Sequence, residues 1–342
     1  MSIAPSWLQA SHVGSQYQTL AADGFKAEEA MGGVRPVLKG SADEMRAQFA
    51  GLEESLAALY PPPSDAVLTQ DGTREGIKYR VYTPRRQGDM APEGQLPVGV
   101  FFHGGGFVLG DLDTEDGLCR AIAENVNAVL VSVDYRLAPA NKAPSQLQDA
   151  IKMFEWAYHN APTLGGDPRR LFTIGTSAGG ALALAVARKV RLRHTALSQD
   201  AIKCVVAFNP VVFHTGNVPE QYSSQHTAFK ENKENTPIID LETLTSFYNL
   251  CNLKTDDADY FVGLDQASHQ LFPPSYIVTC GLDPLRDDGK VLAESMESRG
   301  VPVRRDHYDG LPHCFWVVPT LPESAEFLKN AIQGVTWVMD KM

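Results

Sequence analysis

Gly175-Thr-Ser-Ala-Gly179 stands between an apolar run, Leu171-Phe-Thr-Ile174, and a small-residue stretch, Ala181-Leu-Ala-Leu-Ala-Val-Ala187. The first run reads as a buried strand and the second as a helix. Gly-x-Ser-x-Gly between them is a strand–turn–helix junction of the nucleophile-elbow kind. Both glycines are needed because so tight a turn leaves no room for Cβ atoms beside the serine. The elbow strains the Ser177 backbone and raises its Oγ above the sheet, where the N-terminal amides of the following helix also point. Small-residue turns before helices are common, so the pattern needs support from the rest of the chain.

Outward from the elbow, residues 98–102, 128–133, 203–208, 276–279 and 301–308 are further strand candidates. Their near-continuous apolar character suits strands buried on both faces of a parallel sheet. Helix candidates alternate with them near 113–125, 144–160, 178–193, 286–299 and 322–340. Residues 67–70 and 77–82 flank Asp71-Gly72, a turn dipeptide, and read as a hairpin. The expectation is an α/β architecture: about eight strands, mostly parallel with an antiparallel pair first, and helices on both faces.

Two segments break the alternation. Residues 1–60 carry an amphipathic helical pattern at 41–60, stopped by Pro61-Pro-Pro63. Residues 211–270 are polar and aromatic, with a helix expected at 239–250. Connections of this length are usually functional. The two are expected to pack together as a helical cap over a core formed by residues 61–210 and 271–342.

Composition sets the outer bounds. The chain has 342 residues, 44% hydrophobic and 21% charged, ordinary for a globular protein. A core of that size needs no disulfide or metal staple. A formal net charge of -11 disfavours nucleic acid and anionic lipid as partners. The five cysteines, Cys119, Cys204, Cys251, Cys280 and Cys314, show no zinc-site spacing, and no metal or cofactor is expected. No apolar run approaches the roughly 20 residues that span a bilayer. Met1-Ser-Ile-Ala-Pro-Ser-Trp7 lacks the basic-then-apolar pattern of a signal peptide. A reducing, cytoplasmic location is therefore expected.

A serine at its ordinary pKa is a poor nucleophile and requires a base and an orienting acid. After a nucleophile elbow these follow in the order Ser, acid, His, at the carboxyl ends of later strands. Asp283 follows the strand 276–279 through Cys280-Gly-Leu282. His313 follows the last strand through Asp309-Gly-Leu-Pro312. Other readings exist for each position. Asp283-Pro284 also suits a helix N-cap with proline at N1, and Asp287 or Asp288 could supply the acid, although both suit the first turn of the next helix. His307 lies within a strand pattern.

His103-Gly-Gly-Gly-Phe107 follows the apolar run Pro97-Val-Gly-Val-Phe-Phe102. A tetrahedral intermediate needs preorganised donors for its oxyanion. A glycine loop after the third strand supplies backbone amides beside the one following the nucleophile. Gly104, Gly105 and Ala178 are the expected donors, with His103 orienting the loop. A phosphate-binding turn is excluded by spacing, since neither Gly-x-Gly-x-x-Gly with a ribose-binding acid nor a Walker lysine is present.

His103-Gly-Gly-Gly-Phe-Val-Leu-Gly110, Val133-Asp-Tyr-Arg-Leu-Ala-Pro139, Gly175-Thr-Ser-Ala-Gly-Gly180, Asp283-Pro-Leu-Arg-Asp287 and His313 together resemble the hormone-sensitive lipase family of esterases. The motifs run in the family's order from about 97 to 317. The resemblance implies an α/β-hydrolase fold with a helical cap, no metal, and hydrolysis of short-chain or bulky carboxylic esters. It also implies Ser177 as nucleophile, His313 as base, Asp283 as orienting acid, and the Asp134-Tyr-Arg136 stretch as a brace for the oxyanion loop. Three positions depart from the family: Thr176 where Asp is more frequent, Ala140 where Glu is usual, and Cys314 where a small residue often stands.

The function expected is a serine carboxylester hydrolase acting on a small-molecule ester through an acyl-enzyme. The same triad would serve a natural-product tailoring hydrolase, an acyltransferase or a lactonase. A non-catalytic small-molecule receptor is the reading from another class, since fold alone does not dictate reaction. Tyr222, Phe229, Phe247 and Tyr248 enrich the cap in aromatics, and Phe107, Phe213 and Trp316 are candidates for the substrate pocket. The natural substrate and the oligomeric state, a homo-oligomer included, stay open.

Overall fold

The computed structural model describes residues 38–85, 95–234 and 236–342. Most of the first cap segment, residues 1–37, lies outside them. Helix α1, Ala42–Ala57, opens with a capping box in which the Ser41 side chain and Glu44 satisfy each other's backbone amides. Strands β1, Val67–Arg74, and β2, Ile77–Pro84, form the hairpin. Strand β3, Leu96–Phe102, precedes α2, Asp116–Val126, and β4, Val129–Asp134. Helix α3, Ser145–Asn160, leads to β5, Gly166–Thr176, then α4, Ala178–Arg191, and β6, Cys204–Phe208. After the second cap segment with α5, Leu241–Cys251, come β7, Ser275–Leu282, and α6, Arg286–Glu297. Strand β8, Val303–Pro312, and α7, Pro322–Met339, complete the chain.

The eight strands make one sheet in the order β1-β2-β4-β3-β5-β6-β7-β8. Only the β1–β2 and β2–β4 pairings are antiparallel. Alternate strand residues face opposite layers: Val129, Val131 and Val133 join the core under α3, α4 and α6, while Leu130 joins the core under α2 and α7. The hairpin turn differs from the expectation. Asp71 and Gly72 are in β1, opposite Arg80 and Tyr79, and the chain reverses at Glu75-Gly76, both with positive φ. Two positive φ values are what a tight hairpin turn demands. Gly72 is needed instead because a Cβ there would run into the Tyr79 ring.

The cap segments touch in their described parts. Thr243 donates to the Leu38 carbonyl at 2.9 Å, and Lys39 pairs with Asp240 and Glu242 at 3.3 and 2.9 Å. Among the described residues, no helix is long and apolar enough to cross a membrane.

Candidate active site

Parallel order in the sheet places the carboxyl ends of β3, β5, β7 and β8 along one rim, and the chemistry-bearing residues leave from that rim. At the end of β5, Ser177 has φ 56° and ψ -117°, a strained conformation for a residue with a Cβ. The glycines beside it explain themselves sterically: a Cβ on Gly175 would overlap the Gly179 carbonyl, and one on Gly179 would overlap the Phe102 carbonyl. The Ser177 amide is held by the Phe208 carbonyl at 2.7 Å. Ser177 Oγ makes no hydrogen bond among the described residues.

Asp283, wholly buried, leaves β7 and accepts at both oxygens: Leu285 N–H donates to Oδ1 at 2.8 Å, and His313 Nδ1–H donates to Oδ2 at 2.7 Å. The N-cap reading of Asp283 does not hold, because the next helix begins at Arg286 with Leu285 at its N-cap, and the oxygen not used by His313 accepts the Leu285 amide in the turn before it. Asp287 and Asp288 point away from His313. Asp287 accepts from the Thr227 and Ala228 amides, and Asp288 from the Val212 and Phe213 amides and His226. These two carboxylates fasten the second cap segment to α6. His307 is tied to Thr279 and Asp309 and is half-exposed.

The glycine loop lies beside Ser177. A Cβ on Gly104 would stand 3.7 Å from the Ser177 Cβ. His103 Nδ1–H donates to the Gly104 carbonyl at 2.7 Å, and burial pushes its pKa down to about 4, so it stays neutral. The brace implied by the family is visible: Tyr135 Oη donates to the His103 carbonyl at 2.8 Å, and the two rings stack at 4.3 Å. Arg136 forks onto Asp149, and Ala138 N–H donates to the Phe107 carbonyl. Helix α5 rests on the loop from the other side, with the Phe247 ring against Gly106 and Cys251 Sγ at 3.7 Å from the Gly106 carbonyl.

One amide of the loop is already engaged. Gly104 N–H donates to Glu115 Oε2 at 2.8 Å, so it cannot also meet an oxyanion. The amides of Gly105, Gly106 and Ala178 donate no hydrogen bond among the described residues. Gly104 thus departs from the expectation, because the half-buried Glu115 carboxylate behind the loop claims its amide, whereas Gly105 and Ala178 keep theirs unengaged. No sequence signal marked Glu115: an acidic residue where a helix begins is ordinary.

The aromatics expected around a pocket are engaged in packing. Phe107 meets Tyr260 edge-on, Phe213 packs against Tyr222 and His226, and Trp316 stacks on Phe327 at 3.9 Å. Phe107 and Phe213 are buried to 1% and 0% exposure. Large rings gain most by being surrounded on all sides. All five cysteines are free and buried. Among the described residues, no three His, Cys, Asp or Glu side chains group as a metal site requires.

Comparison with known proteins agrees with the fold. The family described as alpha/beta hydrolase fold matches residues 99–317. The chain is 43% identical over 314 residues to a versiconal hemiacetal acetate esterase of Dothistroma septosporum, covering 92% of this chain and 94% of that one. It is 32% identical to carboxylesterase NlhH of Mycobacterium tuberculosis, covering 85% of this chain and 92% of the other. The hyperthermophilic esterase of the archaeon Pyrobaculum calidifontis superposes with a TM-score of 0.76 at 31% identity, over 88% of this chain and 95% of that structure. Fold and relatives together define a carboxylesterase-like serine hydrolase. The chain belongs to the hormone-sensitive lipase family of α/β-hydrolase esterases.

Proposed function

We propose that Ser177, His313 and Asp283 form the catalytic triad of this carboxylester hydrolase. The observation that carries the reading is the 2.7 Å His313–Asp283 bond on the rim where the strained Ser177 elbow exposes its hydroxyl. Asp283 fixes the proton on His313 Nδ1, which leaves Nε2 with a lone pair to receive the Ser177 proton. Catalytic hydrogen bonds are often long before substrate binds, so the unpartnered Ser177 hydroxyl suits the role. Ser177 Oγ attacks the ester carbonyl while His313 takes its proton. The oxyanion is met by the amides of Gly105, Gly106 and Ala178. His313 then protonates the leaving alkoxide, the acyl-enzyme forms, and a water deprotonated by His313 releases the acid.

The substrate class we propose is an acetate ester of a bulky natural product, like the compound in the name of the Dothistroma relative. Contact of Phe247 with Gly106 supports a small acyl side, because the cap helix lies directly on the oxyanion loop. Five buried, unpaired thiols support a reducing, cytoplasmic location. The test is turnover of p-nitrophenyl acetate, butyrate and decanoate, beside an aryl or hemiacetal acetate of polycyclic size. A kcat/KM falling steeply with acyl length is expected. Preference for decanoate would sink the substrate assignment, and acyl transfer to an added alcohol in place of water would make the enzyme a transferase.

A further inference from the structure

The carboxylate behind the glycine loop takes no part in the triad, yet it touches the machinery closely. Glu115 sits immediately before α2, with Oε2 accepting the Gly104 amide at 2.8 Å. A Cβ on Gly104 would lie 3.8 Å from that oxygen and 3.5 Å from the Thr176 carbonyl, so carboxylate, loop and elbow pack as one layer. Its other oxygen, Oε1, is buried with no hydrogen-bond partner, and so is Thr176 Oγ1. A buried carboxylate with one unsatisfied oxygen is costly and calls for a reason.

We infer that Glu115 is a positioning residue whose carboxylate holds Gly104 and thereby aims the Gly105 and Gly106 amides over Ser177, with a grip that depends on its proton. The inference rests on the triad proposed above. An ionised acceptor binds an amide about twice as strongly as a neutral one, so the loop is held hardest when Glu115 has lost its proton. The protonated form instead carries an O–H that the unpartnered Thr176 hydroxyl can accept, which loosens the hold on Gly104.

Groups facing Glu115 come from three other places and from its own helix. His313 and Cys314 follow β8, Tyr135 follows β4, and Tyr60 follows α1, while Cys119 is on α2 itself. Burial pushes both thiols and both phenols upward, so they stay neutral. Of these groups, only His313 can carry a positive charge beside Glu115. Burial raises Glu115 to about 7, although the Gly104 amide and His313 draw it partway down.

The test compares pH profiles of kcat and KM for the wild type, Glu115→Gln and Glu115→Ala, after loss of turnover in Ser177→Ala has established the triad. Glutamine keeps the volume and an acceptor for Gly104 but cannot ionise. The wild type is expected to show an ionisation in kcat near pH 7 that is absent from Glu115→Gln. The glutamine variant should match the wild type at low pH and fall about three- to tenfold below it at pH 8, with KM unchanged. Glu115→Ala should lose about ten- to a hundredfold in kcat at every pH. A protonated-carboxyl infrared band that titrates near neutrality and vanishes in Glu115→Gln is the reading independent of turnover. Superimposed wild-type and glutamine profiles overturn the inference while leaving the triad standing. Turnover surviving in Ser177→Ala would instead overturn the triad itself.

Discussion

Replacing Asp283 by asparagine changes one atom and sets two hydrogen bonds against each other. Asp283 now accepts from Leu285 N–H through Oδ1 and from His313 Nδ1–H through Oδ2. An asparagine can accept at only one of these positions. With its oxygen toward Leu285, its amide faces His313 Nδ1, which must then be unprotonated. The imidazole proton moves to Nε2, facing Ser177, and the base is lost. With the amide flipped, His313 keeps the right tautomer, but two donors meet at Leu285 in a buried site. That conflict costs about 1–3 kcal/mol, and a further ~1.5–3 kcal/mol goes with the charge opposite the imidazolium. The barrier therefore rises by roughly 3–5 kcal/mol, and kcat should fall between about 10²- and 10⁴-fold. KM should change little, and the melting temperature should stay close to wild type because volume and the Leu285 bond are kept. The assay is steady-state hydrolysis of p-nitrophenyl acetate with circular dichroism as the fold control. A folded Asp283→Asn enzyme retaining more than a third of wild-type kcat would refute the reasoning.

Further outcomes follow from the same geometry. Asp288→Ala strands the Val212 and Phe213 amides and leaves a buried His226 unpaired, so denaturant unfolding should show a loss of about 3–5 kcal/mol. Stability unchanged within error would contradict the role of Asp288 as the fastener of the second cap segment. Tyr135→Phe removes the donor to the His103 carbonyl, and should cost about 1–3 kcal/mol in stability and lower kcat without raising KM. A change in KM alone would show that the brace acts on substrate binding instead. For Glu115 the sign is set by burial, which raises it to about 7 in the folded chain. Its contribution to stability is full below the ordinary glutamate range and is lost as pH rises through 7. Glu115→Gln should therefore gain in urea midpoint over the wild type as pH goes from 5 to 8. A constant difference would contradict the burial argument.

Much of this was legible in the chain because the decisive residues are tied to backbone geometry. Gly175 and Gly179 flank Ser177 for a steric reason that any strand–turn–helix elbow shares, and Asp283 follows a strand whose apolar character was plain, whereas the polar edge strand before His313 was marked mainly by its place in the chain order. The hairpin turn was misplaced because Asp71-Gly72 satisfies the local turn rule, whereas Gly72 is there for the Tyr79 ring across the strand pair. Such a contact is invisible until register is known. Glu115 escaped notice for the same reason, since its role depends on Gly104, eleven positions earlier.

The most direct measurement is rapid mixing of wild type and Ser177→Ala with p-nitrophenyl acetate, following p-nitrophenol from the first turnover. The account predicts that the wild type turns over the ester through a covalent acyl-enzyme, seen as acetyl mass added at Ser177 in quenched samples. Ser177→Ala should remain folded, carry no label and lose nearly all turnover. A folded Ser177→Ala protein that hydrolyses the ester at the wild-type rate would contradict it.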